Sequence, residues 1–206
     1  MEVSFEEEKK IWGKGYKIVA GIDEAGRGPL AGPVVAAAVA VLNQYPVGEN
    51  KKSKPRKFSE ELFFKRYNLF SIRDSKKLSL KKREEFFKVL RNIPEIEWGI
   101  GRVSERVIDR INILEATRLA MKKAAADLKG KIKKRRNFEK VNAIDFLIID
   151  GNVGFNSPIS QKLIIKADEK VFSCVAAGII AKVDRDRIMS RHHKKYPEYG
   201  FNRHKG

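Results

Sequence analysis

Two largely apolar runs, YKIVAGI (16–22) and PVVAAAVAVL (33–42), are separated only by DEAGRGPLAG (23–32). Both predict strands, and their closeness predicts a hairpin. The chain must therefore carry Asp23 and Glu24 at the mouth of its own core. Adjacent carboxylates repel when both are ionised. A positive partner that relieves this repulsion is the first functional expectation.

Downstream, turn signals divide the chain into alternating elements. NQYPVGENKKSKPRK (43–57) is polar, basic and broken by prolines, and reads as a loop. A short helix is expected over 59–70 and another over 79–92, with Ser79 as its N-cap. IEWGIGRV (96–103) predicts a strand, and INILEATRLAMKKAAADLKG (111–130) an amphipathic helix stopped by Gly130. AIDFLIID (143–150) and QKLIIKAD (161–168) predict strands that end on Asp150 and Asp168, before a long helix over 171–195. The expected class is α/β, a central mixed β-sheet flanked by helices in one domain spanning 1–206.

Charge narrows the partners. The chain has 206 residues with 44 Lys and Arg against 26 Asp and Glu, a net charge of +18. A domain this basic usually meets a polyanion, nucleic acid before an anionic membrane surface. A solubility or thermostability device is the plainer explanation. The acidic, polar N-terminus is unlike a signal peptide, and no apolar run reaches the roughly 18 residues of a membrane span. A cytoplasmic monomer is the expectation. Cys174, the only cysteine, lies in VFSCVAAGII and reads as a small core residue.

Four acids stand at strand ends, where open α/β sheets expose functional groups: Asp23, Glu24, Asp150 and Asp168. Should their strands be neighbours, the carboxylates converge. An all-oxygen site suits Mg²⁺ or Mn²⁺, and a pair of such ions can clamp a phosphodiester. Two of the acids have a plainer role too: Asp150 before Gly151 as a turn former, and Asp168 as a helix cap. The GRG at 26–28 allows close backbone approach, and Arg27 can bond a phosphate, although a tight turn explains it equally.

The stretch GIDEAGRGPLAGPVVAAAV (21–39) closely resembles the first motif of the ribonuclease HII family. DSKKLS (74–79), INILEATRLAM (111–121), IIDGN (148–152), KAD (166–168) and AAGIIAKVDRDRIM (176–189) resemble its later motifs in the same order. The resemblance implies a ribonuclease H-like fold. It also implies an endonuclease that cuts the RNA strand of RNA/DNA hybrids and cuts at ribonucleotides embedded in duplex DNA, leaving 5′-phosphate and 3′-hydroxyl ends. By position it implies that Asp23, Glu24, Asp150 and Asp168 are the metal-binding and catalytic carboxylates. Gly26, Arg27 and Gly28 would read the ribose 2′-hydroxyl, and Ser75, Lys76 and Asn112 would contact the nucleic-acid backbone. The related ribonuclease HIII usually carries Lys where Arg27 stands.

The sequence departs from the family at three places. It stops at YGFNRHKG (199–206), where the family continues into Tyr-x-Thr and further helices, so weaker substrate binding is expected. The segment 43–73 is longer than usual, and its basic residues either follow duplex phosphates or are simply solvated, as does KIKKRR (131–136). Gly178 stands where Ser is common. His192, His193 and His204 read as surface or phosphate-contacting residues rather than ligands. Two rival functions share the charge: a non-catalytic nucleic-acid-binding module, and a ribonuclease H-like DNA nuclease. The four acids argue against the first, and GRG argues against the second.

Overall fold

A five-stranded sheet with the order β3-β2-β1-β4-β5 organises the chain. Its strands are β1 (Val19–Ala25), β2 (Val34–Val41), β3 (Ile96–Val103), β4 (Phe146–Asp150) and β5 (Ser160–Ile164). The computed structural model describes residues 2–42, 58–135 and 144–204. The basic stretches 51–57 and the end of 131–136 therefore lie largely outside the described residues. β1 and β2 form the expected hairpin and β2 pairs antiparallel with β3, while β1–β4 and β4–β5 are parallel. This is the expected mixed sheet of an α/β fold.

Strand alternation sorts the core into two layers. Val35, Ala37, Val39 and Val41 face one side, with α2 (Glu60–Tyr67), α3 (Leu80–Asn92) and α5 (Phe172–Lys195). Val34, Ala36, Ala38 and Ala40 face the other, against α4 (Glu105–Lys134). Ser59 caps α2 and Ser79 caps α3, each hydroxyl accepting a backbone N–H of the first turn. The first ten residues of α5 (172–181) are buried all round, and Cys174 is among them as expected. No residue of α5's own start caps it. Glu8 on α1 (Glu6–Trp12) does so from a distance, Oε1 accepting the Ser173 N–H at 2.9 Å, and burial pushes the Glu8 carboxyl up to about 7. Among the described residues no helix is long and apolar enough to cross a membrane.

Three boundaries differ from the sequence expectations. The first strand runs to Ala25, so Asp23 and Glu24 lie inside it rather than after it. Their cross-strand partners are Ala37 and Ala36, and that ladder carries the acids into the sheet. The fifth strand ends at Ile164, so Asp168 does not close a strand but sits on a separate 3₁₀ turn, Ala167–Glu169. The fourth helix continues through Gly130 to Lys134. A helical glycine costs only about 1 kcal/mol, and the burial of Leu128 and Ile132 outweighs it.

Helix α4 lies very close to β3. A Cβ at Gly101 would stand 2.0 Å from the Ala120 carbonyl oxygen, with no flexible side chain to yield. Gly101→Ala is expected to destabilise the chain by about 1–3 kcal/mol or more. Gly130→Ala, in open space on the same helix, is expected to stabilise it by up to about 1 kcal/mol. Thermal unfolding of the two variants checks both signs.

Candidate active site

The site begins with a register. The last β1–β4 pair is Ile22 with Ile149, so the next residues, Asp23 and Asp150, stand side by side at the carboxyl ends of parallel strands. The chain passes through β5, takes a left-handed residue at Lys166 (φ 58°), and turns Asp168 back toward them. The Asp168 backbone N–H donates to Asp150 Oδ1 at 3.2 Å. One carboxylate oxygen from each of the three acids lies within 4.8 Å of the others. Three of the four expected acids thus converge, and Asp168 does not cap α5.

Gly178 of α5 backs this trio. A Cβ there would meet Asp23 Oδ2 at 2.3 Å, so the glycine leaves room for the Asp23 carboxylate. Asp23 Oδ1 accepts the Glu24 N–H at 2.7 Å. Glu24, next along the strand, belongs to the α4 face and lies outside the trio. Its carboxylate is 3.8 Å from Arg27, although its charge still raises Asp23 and the charge of Asp150 still raises it. Among the described residues this is the one group of three or more acid, His or Cys side chains close enough to share an ion, and it contains no histidine.

The substrate-facing expectations separate into neighbours of the trio and residues apart from it. Lys76 Nζ lies 3.2 Å from Asp168 Oδ2, on a side chain that is otherwise 72% exposed. Ser75 is buried beneath it, in a 3₁₀ turn capped by Asp74. Gly26 needs its positive φ of 102°, and a Cβ there would strike Arg185 and the Pro33 carbonyl. Gly28 has nothing within 4 Å of an added Cβ. Asn112 is not an ordinary helical residue. With φ 65° and ψ 167° it breaks α4, and its Oδ1 caps the following segment by accepting from Leu114 (2.9 Å) and Glu115 (3.1 Å).

Reading motifs alone gave no roles to Arg185, Asp186 or Arg83. Arg185 is 1% exposed and donates to the carbonyls of Pro33 and Ala31, both at 2.9 Å, which fixes the end of the GRG loop on α5. The available signal was an Arg-Asp pair inside an otherwise buried helix, DRDRIM at 184–189.

The ribonuclease HII family model matches residues 20–52 and 57–206. The chain belongs to the ribonuclease HII family. It is 45% identical to ribonuclease HII of Acetivibrio thermocellus over 199 residues, which cover 97% of this chain and 64% of that protein. It is 42% identical to that of Caldanaerobacter subterraneus, covering 97% and 68%. The chain thus spans roughly two-thirds of these relatives. Among solved structures, ribonuclease H2 from Pyrococcus horikoshii superimposes with a TM-score of 0.58 at 27% identity, covering 88% of this chain and 78% of that one.

The electrostatics of the site are those of carboxylates buried together. Burial, followed by the charges of Glu24, Asp150 and Asp168, holds the Asp23 carboxyl well above the usual range. Burial and then Asp168 raise Asp150, against backbone N–H groups that oppose the shift. Burial also raises Glu24, against Arg27. Burial works to lower the Lys76 ammonium, but Asp168, Asp23 and Asp74 outweigh it, and the net shift is upward. Converging oxygens with unrelieved repulsion fit a hard divalent cation.

A raised carboxyl pKa makes the folded state hold its proton to higher pH than the unfolded chain does. Stability is therefore lost as pH rises from about 4 through the folded value. Asp23→Asn cannot ionise. In the absence of metal it is expected to melt at least about 3 °C above the parent at pH 8, roughly the shift from 1 kcal/mol in a chain this size, with the gap closing toward pH 4. Mn²⁺ is expected to raise the parent's melting temperature and to leave Asp23→Asn nearly unmoved.

Proposed function

We propose that the chain is an endonuclease that hydrolyses the RNA strand of RNA/DNA hybrids and cuts at ribonucleotides embedded in duplex DNA. The observation that carries this reading is the trio Asp23–Asp150–Asp168, set beside the GRG loop on a chain of net charge +18. Three carboxylates facing a polyanion repel it unless cations intervene, so a binding module without catalysis has no use for them.

In this reading Asp23, Asp150 and Asp168 hold a pair of Mg²⁺ or Mn²⁺ ions, with Glu24 as the further carboxylate at the rim. Ions bound there would supply a lowered pKa for an attacking water and positive charge against the phosphate. Hydrolysis of the P–O3′ bond leaves 3′-hydroxyl and 5′-phosphate ends. The protein's own side chains position the strand. Lys76 meets a phosphate oxygen near the trio. Asn112, with its Oδ1 committed to two backbone N–H groups, offers its amide Nδ2 as the donor to the nucleic-acid backbone.

Gly26, Arg27 and Gly28 meet the ribose 2′-hydroxyl, the group that separates RNA from DNA. The two glycines differ in kind. Packing demands Gly26, but no protein contact demands Gly28, and the open space over Gly28 is what a close-approaching sugar needs.

The test compares duplex DNA, an RNA/DNA hybrid and a DNA duplex with a single ribonucleotide, with and without Mn²⁺. Cleavage of the last two, only with metal, is expected. Asp23→Asn, Asp150→Asn and Asp168→Asn are each expected to lower the rate at least about 100-fold. Gly28→Ala is expected to melt like the parent yet cut at least about tenfold more slowly, because a methyl group there obstructs substrate and not fold. Full Mn²⁺-dependent cleavage by Asp23→Asn would contradict the assignment.

A further inference from the structure

The turn that carries Ser75 and Lys76 is closed by local hydrogen bonds. Asp74 accepts the Lys76 N–H on its side chain at 2.8 Å and the Lys77 N–H on its carbonyl at 3.0 Å. These bonds shape the turn but do not fix where it sits relative to the acids. Arg83, one turn into α3, supplies that second constraint. Its NH1 group donates to the Ser75 carbonyl at 2.9 Å and also to the Leu78 carbonyl, spanning the turn. Its NH2 group faces Asp186 of α5 at 3.5 Å, an ion pair looser than a hydrogen bond. Asp186 takes Lys182 on its other oxygen at 2.8 Å. The Arg83 side chain is 13% exposed and that of Asp186 is 4% exposed. The helix that holds Asp186 is also the one whose Gly178 backs Asp23.

We propose that Arg83, braced by Asp186, is a positioning residue that holds the Ser75–Lys76 turn in place, so that the Lys76 ammonium stands at the acid trio to receive a substrate phosphate. The proposal rests on the reading of Lys76 as a phosphate contact. Arg83 itself is too buried to meet nucleic acid. A guanidinium suits the task because its planar fork reaches two carbonyls and a carboxylate together, whereas a lysine has one nitrogen to share among them.

The test is a double-mutant cycle on kcat/KM for an RNA/DNA hybrid with Mn²⁺, using Arg83→Gln, Arg83→Lys, Lys76→Ala and the double variant Arg83→Gln/Lys76→Ala. Thermal melting of each variant is followed in parallel. Lys76→Ala is expected to lower kcat/KM about tenfold, as loss of one charge-assisted contact does, and Arg83→Gln by a comparable factor. The double variant is expected to fall no more than about twofold below Lys76→Ala, because the second loss acts through the first.

Arg83→Lys, which keeps the charge and guards against a folding defect, is expected not to restore the rate. Losses that multiply to about a hundredfold in the double variant would overturn the proposal, as would parent-like kcat/KM in a folded Arg83→Gln. Hydrogen exchange at the Lys77 and Leu78 amides reads the bracing directly. Exchange is expected to quicken in Arg83→Gln, and unchanged exchange would also overturn the proposal. Absence of any metal-dependent cleavage by the parent would instead overturn the functional reading and Lys76's phosphate role, with the bracing still decided by exchange.

Discussion

Mutual repulsion among Asp23, Asp150 and Asp168 is the constraint around which the rest of the molecule is arranged. The parallel pairing of β1 with β4 sets two of these side chains next to each other on one face. The 3₁₀ turn at Ala167–Glu169 adds the third and supplies a backbone N–H to the second. Burial strengthens each repulsion by removing water that would screen it. A fold does not gain stability from such a cluster. It holds the acids because the sheet, packed on both faces, fixes the strand ends that bear them.

Helix α5 is the reference against which the site is built. Its Gly178 sets the seat of Asp23, its Arg185 grips the loop that follows GRG, and its Asp186 meets Arg83, which grips the turn of Ser75 and Lys76. Both loops are held the same way, by a guanidinium donating to backbone carbonyls, buried for Arg185 and partly buried for Arg83. Carbonyl acceptors offset the cost of burying the charge without adding more acid to a site already crowded with it. The exposed groups keep few ties: Arg27 stands 3.8 Å from Glu24, and Lys76 makes one hydrogen bond, to Asp168 at 3.2 Å. Those ties leave their outward faces available to an anion.

The strong positive charge of the chain and the acidity of its site are complementary. In the proposed reading, basic residues draw a polyanion toward the surface, and the trio would require cations before phosphate could come close. Several basic groups are already engaged within the protein: Arg66 with Glu95, Lys131 with Asp127 and over the Trp98 ring, and Arg102 with Asp184. Net charge therefore overstates how many cations face a ligand, and position decides which ones do.

Much of the architecture was legible along the chain because its signals are local. Apolar runs marked the strands, Ser79 marked the start of α3, and the contiguous GIDEAGRGP stretch, with IIDGN and KAD, carried the family resemblance and pointed to the four acids. Strand register was not legible, and it alone separates Asp23 from Glu24, placing one in the trio and the other beside Arg27. The break at Asn112 also escaped, because an apolar periodicity runs through it while its backbone follows tertiary packing. So did the bracing by Arg83 and Arg185, whose acceptors are carbonyls with no side-chain signature. By itself the sequence determined which groups are candidates for the chemistry and which segments bury. Only the tertiary structure decided which carboxylates meet and what holds them, because distances between strand ends depend on pairing across residues far apart in the chain.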